Sequence, residues 1–238
     1  MRFLFVHGAW HGAWSFDLLR LELERRAVPC EAIDLPSLGE DTTPTCEATF
    51  DAGVERIVDR INTRRNWTLV GHSLGGFYVT EAALRASGKV KGVVTLAGYV
   101  PMAGDDWKAI DAICPGTAEF QAAIRKNEEQ KTLELDAALA GPLLYDGVVG
   151  GIAAAAASRL RPQPLEGFAG AKIDGSAAVL AKVPRLAIVP ERDLVLAAGA
   201  QREMAKRAGA TVERIGGGHC PMLSAPKRVA DLLLGVKS

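Results

Sequence analysis

Val70-Gly71-His72-Ser73-Leu74-Gly75-Gly76 reads G-x-S-x-G. It lies between a short apolar run, Trp67-Thr68-Leu69-Val70, and a helix-like segment over residues 77–86. A serine between glycines at a strand-to-helix junction can occupy a tight, strained turn, because the backbone behind it has no Cβ to clash. The hydroxyl then projects from the sheet edge, which suits a nucleophile. The start of the following helix leaves backbone N–H groups free to face an oxyanion.

Outward from this turn, short apolar, β-branched runs alternate with longer amphipathic segments. Residues 2–6, 29–35, 67–70, 90–96, 185–189 and 211–215 read as strands. Residues 14–26, 50–63, 77–86, 197–208 and 226–236 read as helices, with Val54, Ile57, Val58 and Ile61 on one face of the second. Such alternation implies βαβ units and a mostly parallel sheet flanked by helices, an α/β fold.

Between about residues 101 and 182 the alternation fails. That stretch carries Trp107, Cys114-Pro115-Gly116, a helix-like run over 118–139, a Gly/Ala run over 147–157 and Arg161-Pro162-Gln163-Pro164-Leu165. It reads as a mostly helical insertion. Insertions in open α/β sheets tend to overlie the carboxyl ends of strands, where ligands bind. The expected organisation is one domain over 1–238, with a core of 1–100 and 183–238 and a helical lid over 101–182.

Composition narrows the partners. Of 238 residues, 48% are hydrophobic, enough for a sizeable core. Lys+Arg and Asp+Glu both number 28, so nothing points to nucleic acid or an anionic membrane, and a small molecule is the default ligand. Cys30, Cys46, Cys114 and Cys220 form no C-x-x-C pair and fit no zinc spacing, so no metal site is expected. Scattered cysteines read as reduced, mostly buried thiols of a cytoplasmic protein. The apolar N-terminal run is too short for a signal peptide, and no run approaches a membrane span. The oligomeric state is left open, a homodimer included.

A serine nucleophile needs a base, and the base needs an orienting acid. The four histidines are His7, His11, His72 and His219. His219 follows Gly216-Gly217-Gly218 and a strand, so its loop can approach another closely; it is the best base. His72 adjoins Ser73, and neighbours on a tight turn point apart. His7 is expected to brace a loop, and His11 is either a pocket residue or exposed. Asp193, in Pro190-Glu191-Arg192-Asp193 after a strand, is the preferred acid. Glu191 competes with it, and Asp105 and Asp106 are lesser alternatives. The oxyanion donors expected are the amides of Leu74, just after the nucleophile, and Ala9, in the loop after the first strand.

Three stretches carry a family resemblance: His7-Gly8-Ala9-Trp10-His11-Gly12-Ala13-Trp14, the Ser73 motif, and Gly217-Gly218-His219-Cys220-Pro221-Met222. Together they resemble the plant methylesterase and hydroxynitrile lyase group of α/β-hydrolases and its bacterial esterase relatives. Ser73, Asp193 and His219 also follow the triad's order in that fold.

The resemblance implies a cofactor-independent serine hydrolase of small, fairly apolar carboxylic esters. The lyase branch carries a threonine at the position of Gly8 and a lysine at that of Cys220, so cyanohydrin cleavage is not expected as the main activity. A lactonase or C–C bond hydrolase with the same triad remains an alternative. So does a small-molecule receptor with little turnover. Trp10, His11, Tyr99, Trp107 and Met222 are the candidates to line the pocket.

Overall fold

The computed structural model describes residues 1–86 and 88–235. Its main sheet holds six parallel strands: β1 (Arg2–Val6), β2 (Cys30–Ile33), β3 (Trp67–His72), β4 (Val90–Leu96), β8 (Arg185–Pro190) and β9 (Thr211–Ile215). The order β2-β1-β3-β4-β8-β9 makes β1 and β3 neighbours whose connections run to opposite sides. That reversal opens a crevice at their carboxyl ends, the usual ligand position in an open α/β sheet. The loop holding Ala9 and the turn holding Ser73 both emerge there.

Burial explains the strand sequences. Every residue of β3 is buried, as a central strand covered on both faces requires, whereas the edge strand β2 is half-exposed throughout. The covering helices are α1 (Asp17–Glu24), α2 (Phe50–Asn62), α3 (Gly75–Arg85), α10 (Ala198–Arg207), α11 (Pro221–Ser224) and α12 (Pro226–Leu234). In α2, Phe50, Val54, Ile57 and Ile61 are buried at helical spacing, and Thr49 Oγ1 caps the helix by accepting from Ala52 N–H at 3.1 Å.

Most expected core elements lie within a few residues of their observed bounds. The first expected helix begins instead as a 3₁₀ turn over Ala13–Phe16 before α1. The last ends at Leu234, and Val236, which the sequence placed in it, lies outside the described residues.

The regular structure of the insertion between β4 and β8 is predominantly helical, as expected, with one small sheet that the sequence did not signal. It contains short helices α4 (Trp107–Asp111), α5 (Ala118–Ala122), α6 (Ala137–Leu144), α7 (Gly150–Ala157), α8 (Leu165–Ala169) and α9 (Ala177–Leu180). It also contains a three-stranded antiparallel sheet, β5 (Ile124–Asn127), β6 (Thr132–Leu135) and β7 (Gln163–Pro164). The run over 118–139, expected to be helix, is therefore broken into a helical turn and a hairpin. Lys131 at φ 51 reverses the chain, and tertiary pairing with β7 overrides the local helix propensity. Among the described residues, no helix is long and apolar enough to cross a membrane, and no group of His, Cys, Asp or Glu could hold a metal ion.

Candidate active site

Ser73 sits at φ 51, the left-handed region that an L-residue occupies only under constraint. Its backbone is held from three sides. The Ser73 N–H donates to Leu96 O at 3.2 Å, and Ser73 O accepts from Gly76 at 3.1 Å and Tyr99 at 3.3 Å. Two glycines let other loops press against it. A Cβ on Gly8 would lie 2.7 Å from Ser73 Cβ, and one on Gly98 would lie 2.7 Å from Ser73 N. The loops after β1 and β4 thus converge on the turn after β3, which places the serine at the crevice.

His219 is buried, and its Nδ1–H donates to both Asp193 oxygens, at 3.0 Å and 2.9 Å. The carboxylate accepts three further bonds: from the N–H groups of Val195 at 2.8 Å and Leu196 at 3.0 Å, and from Gln201 Nε2 at 2.7 Å. Every donor around Asp193 therefore suits an ionised carboxylate. With its Nδ1 proton committed there, a neutral His219 ring carries its lone pair on Nε2, as a base requires. The His219 loop is also tied to the serine turn, because His72 Nε2–H donates to His219 O at 2.9 Å.

The competing acids are engaged elsewhere. Glu191 is exposed and pairs with Arg214 at 3.4 Å. Asp105 pairs with Arg207 and accepts from Met102 N–H at 2.7 Å. Asp106 caps α4 by accepting from Ala109 N–H at 2.8 Å. Asp193 alone among these four is brought to His219.

The other three histidines form a buried scaffold behind the serine. His7 Nδ1–H donates to Gly8 O at 2.8 Å, and its Nε2 accepts from Leu35 N–H at 3.0 Å, so it braces the loop after β1. His11 Nδ1–H donates to Ala9 O at 2.8 Å, and its Nε2 accepts from Tyr145 OH at 3.1 Å. Burial depresses all three: His11 falls to about 3, and His72 is pushed further down by neighbouring His219 and His11. They are neutral in the folded protein. Burial likewise pushes the Cys220 thiol well above its ordinary value.

Among the described residues, neither Ala9 nor Leu74 N–H donates to a turn or loop carbonyl. Both residues line a cavity of about 380 Å³ that also touches Ser73. Its other walls include Trp10 and Tyr99 from the core and Trp107, Phe120 and Phe168 from the insertion. Of the expected pocket residues, Trp10, Tyr99 and Trp107 line it. His11 and Met222 do not; they are fully buried and belong to the packing behind it.

The loop after β1 is sewn to the insertion. Trp10, at φ 63, gives its indole N–H to Leu133 O at 2.7 Å and its backbone N–H to Gln163 Oε1 at 3.4 Å. Sequence reasoning missed Gln163 and Gln201, because a lone glutamine carries no local signal. A second cavity, of about 360 Å³, lies at the amino ends of β4, β8 and β9, lined by Pro184, Arg185 and Thr211 among others.

Comparison with known proteins agrees with this architecture. The chain is 31% identical over 118 residues to a pheophorbidase of Raphanus sativus, a match covering 48% of this chain and 44% of that one. It is 31% identical over 105 residues to methylesterase 1 of Arabidopsis thaliana, covering 42% and 40%. The matched stretch thus spans less than half the length of these curated relatives. A crystal structure of a polyneuridine aldehyde esterase mutant superposes with a TM-score of 0.87 at 22% identity, over 100% of this chain and 99% of the other. A family model described as "Alpha/beta hydrolase family" matches residues 3–232, and the chain belongs to that family.

Proposed function

We propose that this chain is a serine esterase for small, fairly apolar carboxylic esters. The observation that carries the reading is the position of His219. Its ring is locked by Asp193, while its backbone is bound to His72, the residue next to Ser73. Ser73 Oγ attacks the ester carbonyl carbon, and its proton passes to His219 Nε2. Asp193 orients the ring and stabilises the imidazolium. The N–H groups of Ala9 and Leu74 bind the tetrahedral oxyanion. The C–O bond to the alcohol then breaks, and His219 returns its proton to the leaving oxygen. Water, deprotonated by His219, attacks the acyl-enzyme and releases the carboxylic acid and free Ser73.

The largely apolar cavity beside Ser73 supports an uncharged acyl or alcohol group near the scissile bond. Buried Cys220 supplies no positive charge where a departing cyanide would need one, which speaks against cyanohydrin cleavage. We read the chain as one domain, with the core at 1–100 and 183–238 and the lid at 101–182. The free thiols of Cys30, Cys46, Cys114 and Cys220 support a reducing, cytoplasmic setting.

The test is fluorophosphonate labelling together with a panel of p-nitrophenyl esters, on the wild type and on Ser73→Ala. Labelling and turnover that both vanish in Ser73→Ala are the expected result. Unlabelled wild-type protein that binds esters without hydrolysing them would overturn the reading in favour of a receptor.

A further inference from the structure

The cavity beside Ser73 contains one feature that an apolar ester does not use. Asp111 closes α4 and lies one helical turn after Trp107, so the two side chains share a face and both line the cavity. Among the described residues, the Asp111 carboxylate has no hydrogen-bond or ion-pair partner. The other charged lining residue, Lys126, is half-exposed and paired with Glu128 at 3.0 Å. Asp111 therefore supplies the unpaired charge of the site.

Its surroundings are aromatic. Trp107 packs on Phe168 with ring centroids 4.0 Å apart and meets Tyr99 edge-on at 5.1 Å. Burial raises the Asp111 carboxyl above its ordinary range, and its charge in turn helps push Tyr99 and Cys114 up. Asp111 is partly exposed and has no protein partner among the described residues, so its carboxylate is free to pair with a cation entering the cavity. Aromatic rings that line the same cavity, Trp107 one helical turn away among them, offer cation–π attraction to the same ligand. A carboxylate-bearing ligand would meet repulsion instead.

We propose that the site prefers esters whose end remote from the scissile bond bears a cationic nitrogen, a protonated amine or a quaternary ammonium, seated against Asp111 and the Trp107 ring. The inference rests on reading the cavity as an ester site. It differs from that reading in naming which esters are favoured.

The test uses pairs of esters matched in shape but differing in charge, on both sides of the ester. p-Nitrophenyl 4-(trimethylammonio)butyrate is compared with p-nitrophenyl 5,5-dimethylhexanoate, and acetylcholine with 3,3-dimethylbutyl acetate. The wild type should favour the cationic member of at least one pair by about tenfold in kcat/KM, and Asp111→Asn should abolish that ratio. A ratio at or below unity in both pairs, or one that Asp111→Asn leaves unchanged, overturns the proposal.

A binding arm separates this proposal from the hydrolase reading. Benzyltrimethylammonium is titrated calorimetrically into Ser73→Ala with and without Asp111→Asn. Binding weakened about tenfold by Asp111→Asn sustains the cation site even if no ester is turned over. Equal affinity, or no binding to either protein, refutes it even if neutral esters are hydrolysed well.

Discussion

Asp193→Asn tests the site most severely, because it changes hydrogen-bond polarity with almost no change in shape. Asp193 is an acceptor only: His219, Val195, Leu196 and Gln201 all donate to it, and it is buried. The Val195 and Leu196 amides already converge on Oδ1, so an introduced amide would keep its oxygen there and turn its NH₂ toward Gln201 and His219. Gln201 adapts only at a cost: a flip would present its buried Oε1, which has no partner among the described residues, to that NH₂, but would give up the bond that Nε2 donates to Leu196 O at 2.7 Å. His219 adapts only by changing tautomer, with Nδ1 accepting and the proton moved to Nε2.

The ring could then no longer take the proton of Ser73. The same exchange in a Ser-His-Asp triad lowers kcat by about 10⁴-fold, equivalent to about 5.4 kcal/mol of transition-state stabilisation. We expect a loss of that order on p-nitrophenyl butyrate, with a cooperative thermal transition retained. Adding Asp193→Asn to Ser73→Ala should cost little more, because the two act as a unit. Glu191→Gln and Asp105→Asn run in parallel and should stay within a few-fold of wild type. Asp193→Asn activity within tenfold of wild type, or a collapse in either control, would refute the assignment.

Three further outcomes follow from the same geometry. Gln201→Leu removes a side-chain donor to a buried carboxylate and should lower stability by about 1.5–3 kcal/mol in urea titrations. Gly98→Ala places a methyl 2.7 Å from Ser73 N, so the serine must shift; kcat should fall by up to about 10²-fold while KM changes less.

The third concerns pH. His11 titrates at about 3 when folded and near 6.5 when unfolded, so the unfolded chain binds the extra proton between these values. Its contribution is fully present above about pH 6.5 and is lost as pH falls through that value. His11 alone should cost about 2 kcal/mol between pH 7 and 5, with His7 and His72 acting in the same direction. Chemical denaturation at the two pH values should show this loss, and His11→Gln should reduce it.

Local pattern made the core legible. Strand and helix periods differ enough that β1, β3, β4 and β8 could be read from their apolar runs, and α2 from its buried stripe. The G-x-S-x-G turn was legible because glycine requirements are written into sequence where backbones approach closely. The insertion was less so. The β5–β6 hairpin pairs locally, but the third strand that completes its sheet, β7, joins Pro164 to Thr132 from far along the chain. No window around 118–139 contains that third strand.

By itself the sequence determined an α/β fold, a serine on a strained turn, and a short list of bases and acids in a meaningful order. The sequence already preferred Asp193, and the tertiary structure shows how the two candidates differ in surroundings: Glu191 and Asp193 stand two residues apart, yet one faces Arg214 and the other His219. It also moved His11 and Met222 out of the pocket and brought Asp111 into it. The physical reason is the same in each case. Residue type and spacing fix which face of an element a side chain occupies, but what lies opposite that face is supplied by distant parts of the chain, and charge and hydrogen bonding act only across that gap.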